Sequence, residues 1–166
     1  MGRAEDLYRR LVDGGEKVLD EFIADRQSEE LFLGFKRSAD NAAGSKLHNT
    51  DRANLGKAIS GFANSEGGVV VWGVECSPTL NSGDVASAKL PLHNPKRFVS
   101  WLEGAVSGCT VPPNPGVRHH AILVSSNAGY VVTHIPRSGF APTKWFRDTI
   151  TTLGPARIFS PPLTRC

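Results

Sequence analysis

The residues of this chain that could do chemistry are few and lie far apart in sequence. Ser28-Glu-Glu-Leu-Phe-Leu-Gly-Phe-Lys-Arg37 carries carboxylates at one end and cations at the other. Hard divalent cations such as Mg²⁺ or Mn²⁺ take oxygen ligands, and a metal-dependent nuclease gathers two or three carboxylates around them. Glu29, with Glu30 as its less favoured neighbour, and Glu75 beyond the next apolar run are the candidates for such a pair. Carboxylates at strand ends are more commonly plain surface charge. Lys36 and Arg37, at the other end of the segment, are suited to flank a phosphate.

The second segment is Phe62-Ala-Asn-Ser-Glu-Gly-Gly-Val-Val-Val-Trp-Gly-Val74. Two adjacent glycines between a helix and a buried strand let the backbone turn sharply and let a ligand come close. Asn64, Ser65 and Glu66 place polar groups beside that turn, although a tight helix-to-strand connection alone accounts for the pattern. It is not a phosphate-cradling loop of the Gly-x-x-x-x-Gly-Lys-Ser/Thr kind, because Gly67 and Gly68 follow a helix instead of preceding one. The third set is His119, His120 and His134 on late strands, where nothing pairs them with a nucleophile.

These residues need elements to position them. Leu7, Leu11, Val18, Leu19, Phe22 and Ile23 recur at helical spacing over residues 4–25, with Gly14-Gly15 dividing a short helix from a longer one. Residues 30–36 read as a strand and 37–49 as a polar loop. Thr50 is the expected N-cap of a helix over 51–65, with Leu55, Ala58, Ile59, Phe62 and Ala63 on its apolar face. Val69–Val74 has the continuous apolar character of a strand buried on both faces. A long loop is expected over 76–93, then a helix from Asn94-Pro95, a Pro-rich linker at 111–115, and two strands at 117–125 and 129–136. The order implies an α+β fold: a single domain with one mixed β-sheet packed with helices.

Composition narrows the partners. The chain has 166 residues, 40% hydrophobic and 21% charged, with a net charge of +3. That is ordinary for one globular domain. No apolar run is long enough to cross a bilayer and no signal peptide is visible, so no membrane partner is expected. Cys76, Cys109 and Cys166 lack metal-ligand spacing, and a cytoplasmic location is expected. Residues 1–30 hold five basic residues against nine acidic ones, whereas 85–147 hold seven basic residues against Glu103 alone. That asymmetry favours a polyanion for the second half.

Glu29, Phe35-Lys36-Arg37 and the run from Lys57 through Phe62-Ala-Asn-Ser-Glu-Gly-Gly to Gly73-Val74-Glu75 resemble the Schlafen AlbA-like domain family over about residues 26–142. Val131-Val-Thr-His-Ile-Pro-Arg-Ser-Gly-Phe-Ala-Pro142 is similar to that family's downstream strand and exit. The resemblance implies an α+β fold, nucleic-acid binding and, in some members, an attached ATP-binding or helix-turn-helix region. Its eukaryotic branch implies a metal-dependent RNase with three carboxylates, which fall here on Glu29, Gly34 and Glu75. A glycine offers no side-chain ligand, and this turns the expectation from nuclease to binding module.

The resulting organisation is a helical segment over 1–25, the Schlafen AlbA-like domain over 26–142, and a divergent tail over 143–166. From about Asp148 the tail is expected to be either a frameshifted version of the strand that the resemblance implies next, or disordered. The expected function is DNA or RNA binding, as part of a prokaryotic-type transcriptional regulator or a defence protein. Lys36, Arg37, Lys57, Asn64, Lys96, Arg97 and Arg137 are the expected nucleic-acid contacts, with Gly67 and Gly68 as the turn motif. A nuclease or ATP hydrolase using Glu29 and Glu75, with a metal on that pair, is the alternative. An inactive fragment or interaction module is the third reading, and self-association is left open.

Overall fold

The computed structural model describes residues 2–81 and 83–139, together with the backbone of 144–145. Helices α1 (Arg3–Gly14) and α2 (Glu16–Ala24) open the chain. Gly15 divides them at φ +60, the left-handed region that glycine enters without a Cβ penalty. The first helix is the longer of the two, the reverse of the sequence expectation. Strand β1 (Leu33–Lys36) is followed by a polar loop and α3 (Asn49–Ala63). His48, not Thr50, caps α3: its side chain accepts the Thr50 amide. Inside the first turn, the buried Asp51 carboxylate accepts from Ser38 Oγ at 2.6 Å and from the Ala39 amide at 2.9 Å. The helix start is thereby tied to the end of β1.

The apolar run after α3 is not one strand. Gly73, at φ +98, breaks it into β2 (Gly68–Trp72) and β3 (Val74–Thr79). The expected long loop is in fact a hairpin of β3 with β4 (Gly83–Lys89), followed by the short β5 (Leu92–His93). Leu80-Asn-Ser-Gly83 was the turn signal; Pro78 inside β3 obscured it. Then come α4 (Pro95–Val106), β6 (Thr110–Val111), β7 (Arg118–Leu123), β8 (Ala128–Ile135) and β9 (Lys144–Trp145). Asn94 caps α4 by accepting the Arg97 amide, with Pro95 in the first turn as expected.

The main sheet is mixed. β1 runs parallel to β2, and β2, β5 and β7 are antiparallel to β8. β7 takes one edge of β8; β2, and beyond its end β5, take the other. β6 pairs with β9, beyond the expected domain limit at residue 142.

Strand alternation sends side chains to two cores. Leu33, Phe35, Val69, Val71, Tyr130 and Val132 face α1 and α2. Val70, Trp72, Val131 and Ile135 face α3 and α4. The α+β single-domain architecture is therefore observed, with helices on both faces. Among the described residues no helix is long and apolar enough to cross a membrane. The proposed frameshifted stretch from Asp148 lies outside the described residues.

Candidate nucleic-acid interface

Glu29 is placed by the edge of the sheet. β1 uses the backbone of Phe32 and Lys36 to bond β2, so Leu33 and Phe35 direct their amides away from it. The Leu33 amide bonds the Glu30 carbonyl, and the Phe35 amide donates to Glu29 Oε1 at 2.9 Å. The backbone of Glu29 in turn donates to the Asp84 carbonyl at 3.0 Å, which joins the segment before β1 to the β3–β4 hairpin. Burial raises the Glu29 carboxyl above its usual range; the Phe35 amide and Lys36 pull it down, and Asp84 adds to the rise.

Lys36 lies one residue on, pointing to the α3 face, and is only 5% exposed. Burial pushes its ammonium below the usual lysine range. Glu29 and Asp84 oppose that push, while Lys57 on α3 reinforces it. Lys36 and Lys57 are thus brought within electrostatic reach across the β1–α3 layer. Asp84 is a charged neighbour of Glu29 and Lys36 that the sequence did not reveal, because its strand was read as loop.

Arg37 and Glu75, by contrast, hold each other. The Arg37 guanidinium meets the Glu75 carboxylate at 3.0 Å where β1 and β3 end and begin. Of the three carboxylate positions implied by the family resemblance, Gly34 has no donor, Glu29 receives a backbone amide and Glu75 an arginine. Among the described residues no group of three or more His, Cys, Asp or Glu side chains converges as a metal site. The donor set does not fit a three-carboxylate centre.

Two cations of the basic second half, Lys89 and Arg118, are paired with the acidic N-terminus. Lys89 on β4 pairs with Glu16 at 2.8 Å and with Asp20, both on α2, and this raises its ammonium further. Arg118 on β7 pairs with Glu5 on α1 and stacks over Tyr8 at 5.0 Å. Arg137 meets Glu66 at 3.6 Å, both well exposed. Arg97 donates to the Ala42 carbonyl at 2.8 Å and lies 4.6 Å over Trp101, so it holds α4 to the loop after β1. Lys96 stands exposed at the start of α4. Part of the charge asymmetry of the sequence is thus compensated within the fold.

Asn64 ends α3, and the glycine pair follows it. Gly67 sits at φ +83, and its amide returns to the Phe62 carbonyl at 3.0 Å. A Cβ on Gly67 would lie 2.8 Å from the Ile135 carbonyl oxygen; one on Gly68 would lie 2.3 Å from the Phe62 ring. The close approach that the two glycines permit is taken by the chain itself, at the exit of β8 and under Phe62. It is not a ligand cradle.

The histidines divide. His119 Nδ1 shares a 2.8 Å bond with Thr133 Oγ1, which also accepts from Trp72 Nε1 at 3.0 Å. Burial pushes His119 down to about 4. His134 lies against Glu5, Arg118 and Tyr8, and burial, then Arg118, lowers it.

No family model and no curated protein matches this chain. Among solved structures it is similar to the N-terminal domain of a RecG-related protein from Nitrosomonas europaea, solved by NMR in solution, whose name refers to an ATP-dependent DNA helicase. The two are 18% identical with a TM-score of 0.49, over 76% of this chain and 82% of that one.

Proposed function

We propose that the chain is a nucleic-acid-binding module whose phosphate contacts centre on Lys36 and Lys57, flanked by Arg37 and Asn64. What supports it is the placement of Lys36, buried on the α3 face of β1, within electrostatic reach of Lys57 on α3, where a phosphate between the two elements would meet both cations. The resemblance over residues 26–142 points the same way, and such a module suits the DNA- or RNA-binding part of a regulator or defence protein. Lys89 and Arg118 belong to the scaffold in this reading, because they tie the strands to α2 and α1 on the face away from α3; Arg97 ties α4 to the loop after β1, and Arg37 would exchange Glu75 for a phosphate.

The test is titration of labelled single- and double-stranded RNA and DNA at several salt concentrations, with wild type and Lys57→Glu. Wild-type affinity falls with salt, and the variant is weaker, with a slope reduced by about one. No binding to any of the four at low salt, or equal binding by Lys57→Glu, overturns the proposal. The same samples with Mg²⁺ or Mn²⁺ test the enzyme reading: cleavage lost in Glu75→Gln would replace the binding module with a nuclease.

A further inference from the structure

On the α1 face of the sheet, Arg9, Arg118 and His134 converge on one carboxylate. Glu5 stands in the first turn of α1, while Arg118 and His134 lie directly opposite one another on β7 and β8. Arg118 Nη2 donates to Glu5 Oε2 and lies 3.2 Å from His134 Nδ1. His134 Nε2 lies 3.4 Å from the same Glu5 oxygen, and Arg9 reaches the other one at 3.3 Å. The Tyr8 ring floors the cluster, 5.0 Å from the Arg118 guanidinium and 5.3 Å from the imidazole.

An arginine only donates, so His134 Nδ1 accepts from it and the ring proton sits on Nε2, facing Glu5. This is the neutral ring. A second proton would have to go on Nδ1, where it would oppose an Arg118 N–H across 3.2 Å. It would also add a third cation around one carboxylate. The other neighbours of His134 bring no further carboxylate among the described residues: β2 faces it with Val69, and β7 adds His120, two residues beyond Arg118. The two competitors differ in their freedom to move. The His134 side chain is 8% exposed between two paired strands, whereas that of Arg118 is 50% exposed.

We infer that Arg118 and His134 exchange places on Glu5 under the control of a proton: a protonated His134 claims the carboxylate, and Arg118 swings off Tyr8 into solvent. A buried imidazolium needs a paired charge, and Glu5 is the carboxylate within reach. Glu5 stays paired in both states, so α1 keeps its dock while β7 gains a free surface cation. Burial, then Arg118, holds the His134 ring below the ordinary histidine value of 6.5, against the pull of Glu5. The exchange therefore falls on the acid side of that value.

The experiment is NMR of the full chain from about pH 8 to about pH 5, following the His134 ring and the contact between the Arg118 side chain and the Tyr8 ring. In wild type that contact is lost with the midpoint of His134 protonation, while the Ala4 and Leu11 amides of α1 keep their native shifts. In His134→Gln, whose side chain does not titrate, the contact persists to the acid end. In Arg118→Ala the His134 midpoint moves up, because the opposing donor is gone. A contact that survives His134 protonation in wild type overturns the inference, as does its loss at the same pH in His134→Gln, or unfolding before His134 titrates. Where His134→Gln does not fold, Arg118→Ala decides: a His134 midpoint that stays or falls overturns the exchange. Nucleic acid is absent from these samples, so the outcome is separate from that of the proposed function.

Discussion

The Glu29 carboxylate accepts the Phe35 amide at 2.9 Å, six residues away, so the side chain first singled out as a metal ligand serves as a cap on a sheet edge. A carboxylate spent in this way closes a strand against other chains. It also keeps Glu29 beside Lys36, where each is charged at a cost that the other partly offsets.

That role separates two substitutions. Glu29→Ala leaves the Phe35 amide without its acceptor and destabilises the domain by about 1–3 kcal/mol. Glu29→Gln retains an oxygen at the same reach and costs less. Urea unfolding of both variants checks this; equal losses for Gln and Ala would show that the charge, not the cap, is what matters.

The glycine turn gives a second prediction. Gly67→Ala combines a positive φ with a Cβ only 2.8 Å from the Ile135 carbonyl, and backbone cannot step aside as a side chain can. Gly68→Ala instead collides with the Phe62 ring and costs about 1–3 kcal/mol as overpacking. A double-mutant cycle with Phe62→Leu recovers part of the Gly68→Ala loss and none of the Gly67→Ala loss. Thermal or urea denaturation of wild type, the three single and the two double variants reads it, and equal rescue of both glycine variants would refute the geometry.

Acid sensitivity follows from His119. Its Nε2 is buried without a partner among the described residues, and its folded value near 4 lies below the ordinary histidine value of 6.5. The unfolded chain therefore takes the proton first as pH falls. Stability is complete above about pH 6.5, is lost progressively down to about pH 4, and the loss reaches about 3 kcal/mol at most. His119→Asn keeps a polar partner for Thr133 but does not titrate. Urea midpoints between pH 7 and 4 are expected to fall less steeply in that variant, and a shallower share remains from His134, shifted in the same direction.

Charge placement predicts which cations are silent. Lys89→Ala and Arg118→Ala remove partners of Glu16, Asp20 and Glu5, so they cost stability, by about 1 kcal/mol or less for such exposed pairs. Nucleic-acid affinity at fixed salt stays at the wild-type level in both, while Lys57→Glu lowers it. A loss in Lys89→Ala matching that of Lys57→Glu would place the interface on the opposite layer.

Local periodicity determined much of this protein directly from sequence. The helix face of Leu55, Ala58, Ile59 and Ala63, the break at Gly14-Gly15, the cap at Asn94-Pro95 and the two late strands each depend on neighbours a few residues apart. The helix–Gly-Gly–strand turn was legible for the same reason. Only the tertiary structure decided what those features do. Glu29 Oε1 accepts the Phe35 amide, because the chain folds back on the β1 edge. Asp84 joins Lys36 through a hairpin that Pro78 disguised. The acidic first helices pair with Lys89 and Arg118 of the basic second half, because the sheet stacks them against β4 and β7. Electrostatics depends on distance in space, and no count along the chain contains that distance.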